Sequence, residues 1–200
     1  NTLNALAASG VSADHEALTA EDVVKRHKLG YYTALRYSSI RPDLPDILKE
    51  LKGMAGVNLN RLMLTNDGSM PFFIEESGCD SMLEMVMAAG YSPVEAYRMV
   101  TLNPATYYGL DQLIGGIAPG RLAHLNILSS LDRPTPRAVF LEDRFAVKQG
   151  EFMPGFKEQY EQSLPEHLAQ FFVTQGYTQE NEAKLVHKVS VSIQAAREAE

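Results

Sequence analysis

Residues 61–68 read Arg61-Leu62-Met63-Leu64-Thr65-Asn66-Asp67-Gly68. An apolar, strand-compatible run passes straight into an Asn-Asp-Gly turn, so a strand stops where a carboxylate begins. A second stretch ends alike. Val11 to Ala13 forms a very short apolar strand that stops at Asp14-His15-Glu16. Between the two lies Tyr31-Tyr32-Thr33-Ala34-Leu35-Arg36-Tyr37, a strand rich in aromatic and β-forming residues. Helices alternate with these strands. One starts at the Thr19 N-cap, carries Glu21 and Asp22 in its first turn and stops at Gly30. Another spans Leu44 to Leu51 and ends at Gly53. The β-α-β-α-β-α order over residues 11–102 predicts an α/β domain with a parallel sheet and crossover helices.

In such sheets chemistry collects at the C-terminal ends of the strands. His15 and Asp67 both fall there, and Arg36 closes the strand between them. His15 reads as a metal ligand through a ring nitrogen, or as a turn histidine bonded to Asp14 or to backbone. Asp67 reads as a ligand and proton shuttle, or as part of an ordinary turn. Asp14 and Glu16 are candidates for orienting His15, or are solvated turn acids. Arg36 suits a substrate or a neighbouring carboxylate, and Ser38 and Ser39 after it either line a substrate site or cap the turn.

Downstream, Asp80 to Ala89 is a Met-rich helix, with Met82, Met85 and Met87 read as core packing. Ser92-Pro93-Val94-Glu95 opens a further helix that runs to about Leu102, and Asn103-Pro104-Ala105 begins a short one closed by Gly109. From Gly115 the period changes. Leu125 to Leu128, Ala138 to Leu141 and Arg144 to Val147 read as short strands, with Glu142-Asp143 and Gln149-Gly150 as their turns. Residues 153–200 are polar and helix-prone. The domain reading is therefore 1–114, 115–152 and 153–200. His27, His167 and His187 read as surface residues, and His124 as a structural residue within a strand.

The net charge of −7 argues against non-specific binding to nucleic acid, which needs a basic surface. The single cysteine, Cys79, rules out an intrachain disulfide and fits a cytoplasmic setting. It has no histidine at a diagnostic spacing and is not read as a nucleophile. No apolar run has the length of a membrane-spanning helix. The chain opens at Asn1, in a helix already under way, so an N-terminal portion is expected to precede it.

With these residues in place, the sequence resembles the C-terminal part of an adenine deaminase of the amidohydrolase superfamily. The resemblance lies in Ser12-Ala13-Asp14-His15-Glu16 with Leu18-Thr19-Ala20-Glu21, in Leu29 to Arg36, and in Leu64-Thr65-Asn66-Asp67. Ala96 to Ala105 and Gly116-Ile117-Ala118-Pro119-Gly120-Arg121 are similar to motifs spread through the whole superfamily. It covers residues ~1–152. The chain has Tyr37 after Arg36, Gly68 after Asp67 and His124 after Ala123, where the family often has glutamate, aspartate and aspartate.

The resemblance implies strands 6–8 of a metal-dependent TIM barrel, followed by strands of a small β-sandwich. His15 would end strand six and bind metal. Asp67 would end strand eight, touch the metal and move protons. Glu16 would assist catalysis, and Arg36 and Ser38 would bind substrate. The cofactor implied is a divalent metal, manganese or iron by family and zinc by ligand type. The reaction implied is hydrolysis of adenine to hypoxanthine and ammonia, or of another cyclic amide or amine, with a purine or related small molecule as substrate. The other class of reading is a non-catalytic α/β domain used for binding or assembly. The barrel's earlier ligands belong to an upstream segment, so residues 1–200 alone are expected to bind metal weakly and to be inactive. Three strands leave sheet edges open, which that segment would cover. A homodimer is an assembly open to the full protein.

Overall fold

A computed structural model describes residues 2–69, 73, 78–141 and 144–154. The chain divides into two units, 1–150 and 151–200. In the second, the described residues hold the two-residue strand Glu151–Phe152. The helices and the remaining strands belong to the first unit.

Helix α1 (Thr2–Ala8) precedes β1 (Ala13–Asp14), α2 (Ala20–Lys28), β2 (Tyr32–Arg36), α3 (Leu44–Leu51) and β3 (Leu62–Thr65). Helices α4 (Cys79–Ala88), α5 (Pro93–Val100) and α6 (Leu102–Tyr107) follow, then strands β4 (Leu125–Ile127), β5 (Ala138–Leu141) and β6 (Arg144–Lys148). Strands β1, β2 and β3 form a parallel sheet in that order. Ala13 pairs with Tyr32, and Arg36 with Thr65. The expected parallel α/β arrangement is thus present. Strands β4, β5 and β6 are antiparallel neighbours, with a register irregularity at Val139 and Phe140.

The first strand lies two residues later than the apolar pattern predicts. Val11 is used by the preceding helix: its N–H bonds to the carbonyl of Leu6, while the N–H of Gly10 bonds to Ala7. Gly10 has φ 95°, as this helix ending requires. Pairing with β2 begins only at Ser12, whose carbonyl accepts from Tyr32 N–H at 2.8 Å. Helix α2 ends in the same way at Gly30, with Tyr31 N–H bonded to the carbonyl of Arg26.

One face of the sheet is sealed by helices. Leu35 and Leu62 from the strands meet Val23, Leu44, Leu48, Leu51, Met82, Val86 and Met99 in one apolar cluster. Met85 and Met87 pack against its margin, so the methionines are core residues. Helix α5 is set by a complete capping box: Ser92 accepts from Glu95 N–H, and Glu95 accepts from Ser92 N–H. Asn103 is buried and donates to the carbonyls of Leu59 (2.8 Å) and Leu62 (2.7 Å), tying α6 to the start of β3.

Two histidine expectations are corrected. His27 is buried rather than on the surface, because it falls on the apolar stripe Ala20-Val23-Val24-His27 of α2. Its Nδ1 accepts from Asn58 N–H at 3.0 Å. His124 lies exposed just before β4, not inside it. Gln149 and Gly150 both take positive φ, as a tight turn requires. The expected turn at Glu142-Asp143 and nearly all of 153–200, with His167 and His187, lie outside the described residues.

Candidate metal and carboxylate site

The ends of β1, β2 and β3 lie side by side because the sheet is parallel and its register is short. Each strand therefore delivers a polar side chain to one rim. His15 follows β1, Arg36 is the last residue of β2, and Asp67 lies two residues past β3. Asp67 is held by an unusual backbone. Its φ is 48°, a left-handed conformation that aspartate tolerates better than most residues, and Gly68 follows at 63°. The N–H of Asp67 donates to Thr65 Oγ1 at 3.2 Å, which fixes the bend. Asp67 thus sits in the turn that its local sequence favours.

His15 Nε2 lies 3.4 Å from Asp67 Oδ1 and 3.5 Å from Glu16 Oε1. Two ligand atoms each about 2.1 Å from one ion, at a near-tetrahedral angle, are themselves about 3.4 Å apart. The separation of His15 and Asp67 fits two neighbouring ligands of one small divalent cation. Among the described residues, no group of three or more His, Cys, Asp or Glu side chains is arranged to hold an ion. The described rim therefore supplies a fitting pair, short of the three or more protein ligands usual in hydrolytic sites.

Arg36 organises the acids around this pair. Its Nη1 donates to Asp67 Oδ2 and, at 3.2 Å, to Glu16 Oε1. Its Nη2 donates to Glu16 Oε2 at 3.0 Å. The side chain is 9% exposed, whereas Glu16 is 57% exposed. Burial pulls the guanidinium's pKa down, but the hydrogen bonds and charges of Asp67 and Glu16 outweigh it, and the net shift is upward. Arg36 stays charged, and two carboxylates converge on it.

The remaining candidates are placed as follows. Asp14 is engaged elsewhere than on the His15 ring: its Oδ1 accepts from Arg26 Nε at 2.6 Å and from Glu16 N–H at 2.7 Å. Ser38 is buried, and its hydroxyl accepts from Arg41 N–H at 3.2 Å. The N–H of Ser39 donates to Ser69 Oγ at 3.3 Å, joining the turn after β2 to the turn after β3. Arg41 is the rim residue that sequence reasoning missed. The signal was a second arginine in a proline-containing turn just beyond a strand end. Cys79 is exposed at the start of α4; partial desolvation of the thiol and then the neighbouring Asp80 push its pKa up, which disfavours the reactive thiolate.

The Amidohydrolase family profile matches residues 1–151. A protein of Picrophilus torridus named "Putative adenine deaminase" is 47% identical over 154 residues, 77% of this chain and 26% of that protein. One of the same description from Halalkalibacterium halodurans is 45% identical over 150 residues, 75% of this chain and 26% of that protein. A solved amidohydrolase from Thermotoga maritima aligns with a TM-score of 0.40 and 17% identity, over 69% of this chain and 43% of its own. The chain spans about a quarter of the length of the curated relatives it matches. With a family match across three-quarters of its residues, the chain belongs to the amidohydrolase family.

Proposed function

We propose that the protein carrying this chain is a metal-dependent hydrolytic deaminase of adenine, and that residues 1–114 supply the last three strands of its barrel. The observation that carries the reading is the 3.4 Å approach of His15 Nε2 to Asp67 Oδ1 at the strand ends of an amidohydrolase-family chain. The names of the relatives support adenine as substrate.

In this reading His15 and Asp67 would hold a divalent cation, manganese or iron by family resemblance. When bound, such an ion lowers the pKa of its water to near neutrality. Asp67 takes the proton of the attacking water and returns it to the departing amine. The new C–O bond forms at the ring carbon that bears the amino group, the C–N bond breaks, and ammonia leaves hypoxanthine behind. Arg36 donates to Asp67 Oδ2, which turns Oδ1 toward His15. Glu16 assists by sharing that guanidinium, and Ser38 shapes the substrate side of the same rim. The strands after residue 115 belong to a small β-sandwich, and the upstream segment supplies the other ligands. A cytoplasmic homodimer is the assembly we attach to this reading.

The test is ammonia release from adenine by the full-length protein with added Mn²⁺, with hypoxanthine identified as product. Absence of both products rejects the adenine reading.

A further inference from the structure

Glu16 is held by two arginines rather than one. Besides the fork from Arg36, its Oε2 accepts from Arg41 Nη1 at 3.1 Å. The opposite end of the Arg41 guanidinium is anchored separately. Its Nη2 donates to the carbonyl of Ala17 at 3.1 Å and to Asp43 Oδ2 at 3.2 Å. The backbone of Arg41 is also fixed, since its N–H donates to the carbonyl of Ser38 and its carbonyl accepts from Ser38 N–H, both at 3.1 Å. Arg41 is therefore a rigid strut from the turn after β2 to the turn after β1. It ends on the most exposed carboxylate of the rim, the one that long-range burial does not hold.

We infer that Arg41 is a positioning residue of the site: it fixes Glu16 against Arg36, and through Arg36 it fixes the orientation of the Asp67 carboxylate. The physical basis is the planar guanidinium, which makes directed contacts to three acceptors at once. Without Arg41, Glu16 keeps its fork from Arg36 and the 3.5 Å approach of His15 Nε2, and gains the freedom of a solvent-facing side chain. The Arg36 fork then loses the fixed partner that aligns it, and Asp67 Oδ2 is held by a donor free to turn. The inference rests on the reading of this rim as a metal and carboxylate site.

The experiment uses the full-length protein and compares Arg41→Met, Arg41→Lys, Glu16→Gln and the Glu16→Gln/Arg41→Met double variant. Two readouts are taken: kcat for adenine with Mn²⁺, and the Mn²⁺ dissociation constant by titration. Arg41→Met is expected to lower kcat about tenfold, the lower end for residues that orient metal ligands. Arg41→Lys keeps the charge but lacks the fork, and is expected to stay well below wild type. In the Glu16→Gln background Arg41→Met is expected to change either readout less than twofold, because its effect passes through Glu16. Wild-type behaviour of Arg41→Lys overturns the inference, as do effects of Arg41→Met and Glu16→Gln that simply multiply. If adenine is not turned over, the Mn²⁺ titration carries the same comparison alone. Coupling there upholds the role of Arg41 while the substrate reading falls; absence of Mn²⁺ binding overturns both. Should Arg41→Met not fold, Arg41→Lys still decides between fork and charge.

Discussion

The two oxygens of the Asp67 carboxylate serve different partners: Arg36 Nη1 donates to Oδ2, and Oδ1 faces His15 Nε2 at 3.4 Å. A carboxylate divided in this way has a fixed direction. Its neighbours on either side come from separate strands, so the direction is a property of the sheet register and not of one loop.

Asp67→Asn keeps a side chain that tolerates left-handed backbone, so it isolates the loss of charge from loss of the turn. In the full-length protein it is expected to lower kcat for adenine about 10²- to 10⁴-fold, the range for loss of a proton-transfer group. Mn²⁺ affinity should fall with it, and the thermal midpoint should move little. Full activity in Asp67→Asn would remove Asp67 from the mechanism.

Arg36→Met leaves Glu16 and Asp67 facing each other without the cation that joins them. Hydrogen bonds to charged groups contribute about 1.5–3 kcal/mol each when buried, and less where water reaches the partners, as it does here. A loss of about 1–2 kcal/mol in urea unfolding is expected on that basis. Arg36→Lys should recover only part of it, since an ammonium cannot grip two carboxylates in a fork. Equal stability of wild type and Arg36→Met would show that the two acids do not need the cation.

His27 gives a pH dependence with a definite sign. Burial, and then the charge of Arg61, lower its pKa below the ordinary histidine value. Its unprotonated Nδ1 accepts from Asn58 N–H, a bond that protonation would break. The unfolded chain therefore binds the proton first as pH falls, and stability declines below the ordinary value of about 6.5. Above it the contribution is complete. Urea unfolding at pH 7.5 and pH 5.5 should show a larger loss for wild type than for His27→Gln. Parallel losses in the two proteins would assign the acid sensitivity elsewhere.

Asn103→Leu removes the amide that donates to the carbonyls of Leu59 and Leu62. The Leu59 carbonyl keeps the N–H of Leu62 as a donor, so the deficit falls on the buried Leu62 carbonyl, and a loss of about 1–3 kcal/mol is expected in denaturant unfolding. A neutral substitution would mean that water reaches those carbonyls.

Much of this arrangement was written locally. The alternation of apolar runs with capped helices was enough to place β2 and β3 within a residue or two, and Ser92 with Glu95 marked the start of α5 directly. Pairing partners were not local. Val11 looks like a strand residue, yet its N–H completes the end of α1, and only the position of Tyr32 shows where β1 begins. His27 was legible after all, since Ala20, Val23, Val24 and His27 follow helical spacing; charged neighbours at Lys25, Arg26 and Lys28 obscured the stripe. At the rim, the sequence named His15, Arg36 and Asp67 one by one. It could not show that a single guanidinium receives both Glu16 and Asp67, nor that Arg41 reaches back to Ala17 across 24 residues. Such contacts depend on register and side-chain reach, which no short window contains.

The turn after β2 is fastened on both sides, to Ala17 and Glu16 through Arg41 and to Ser69 through Ser39. For anyone wishing to redesign this rim, the three turns constitute one exchangeable part. Transplanting residues 37–43 alone from a relative would sever joints on both flanks, whereas moving 14–17, 37–43 and 66–69 together carries the joints along with the pieces they hold.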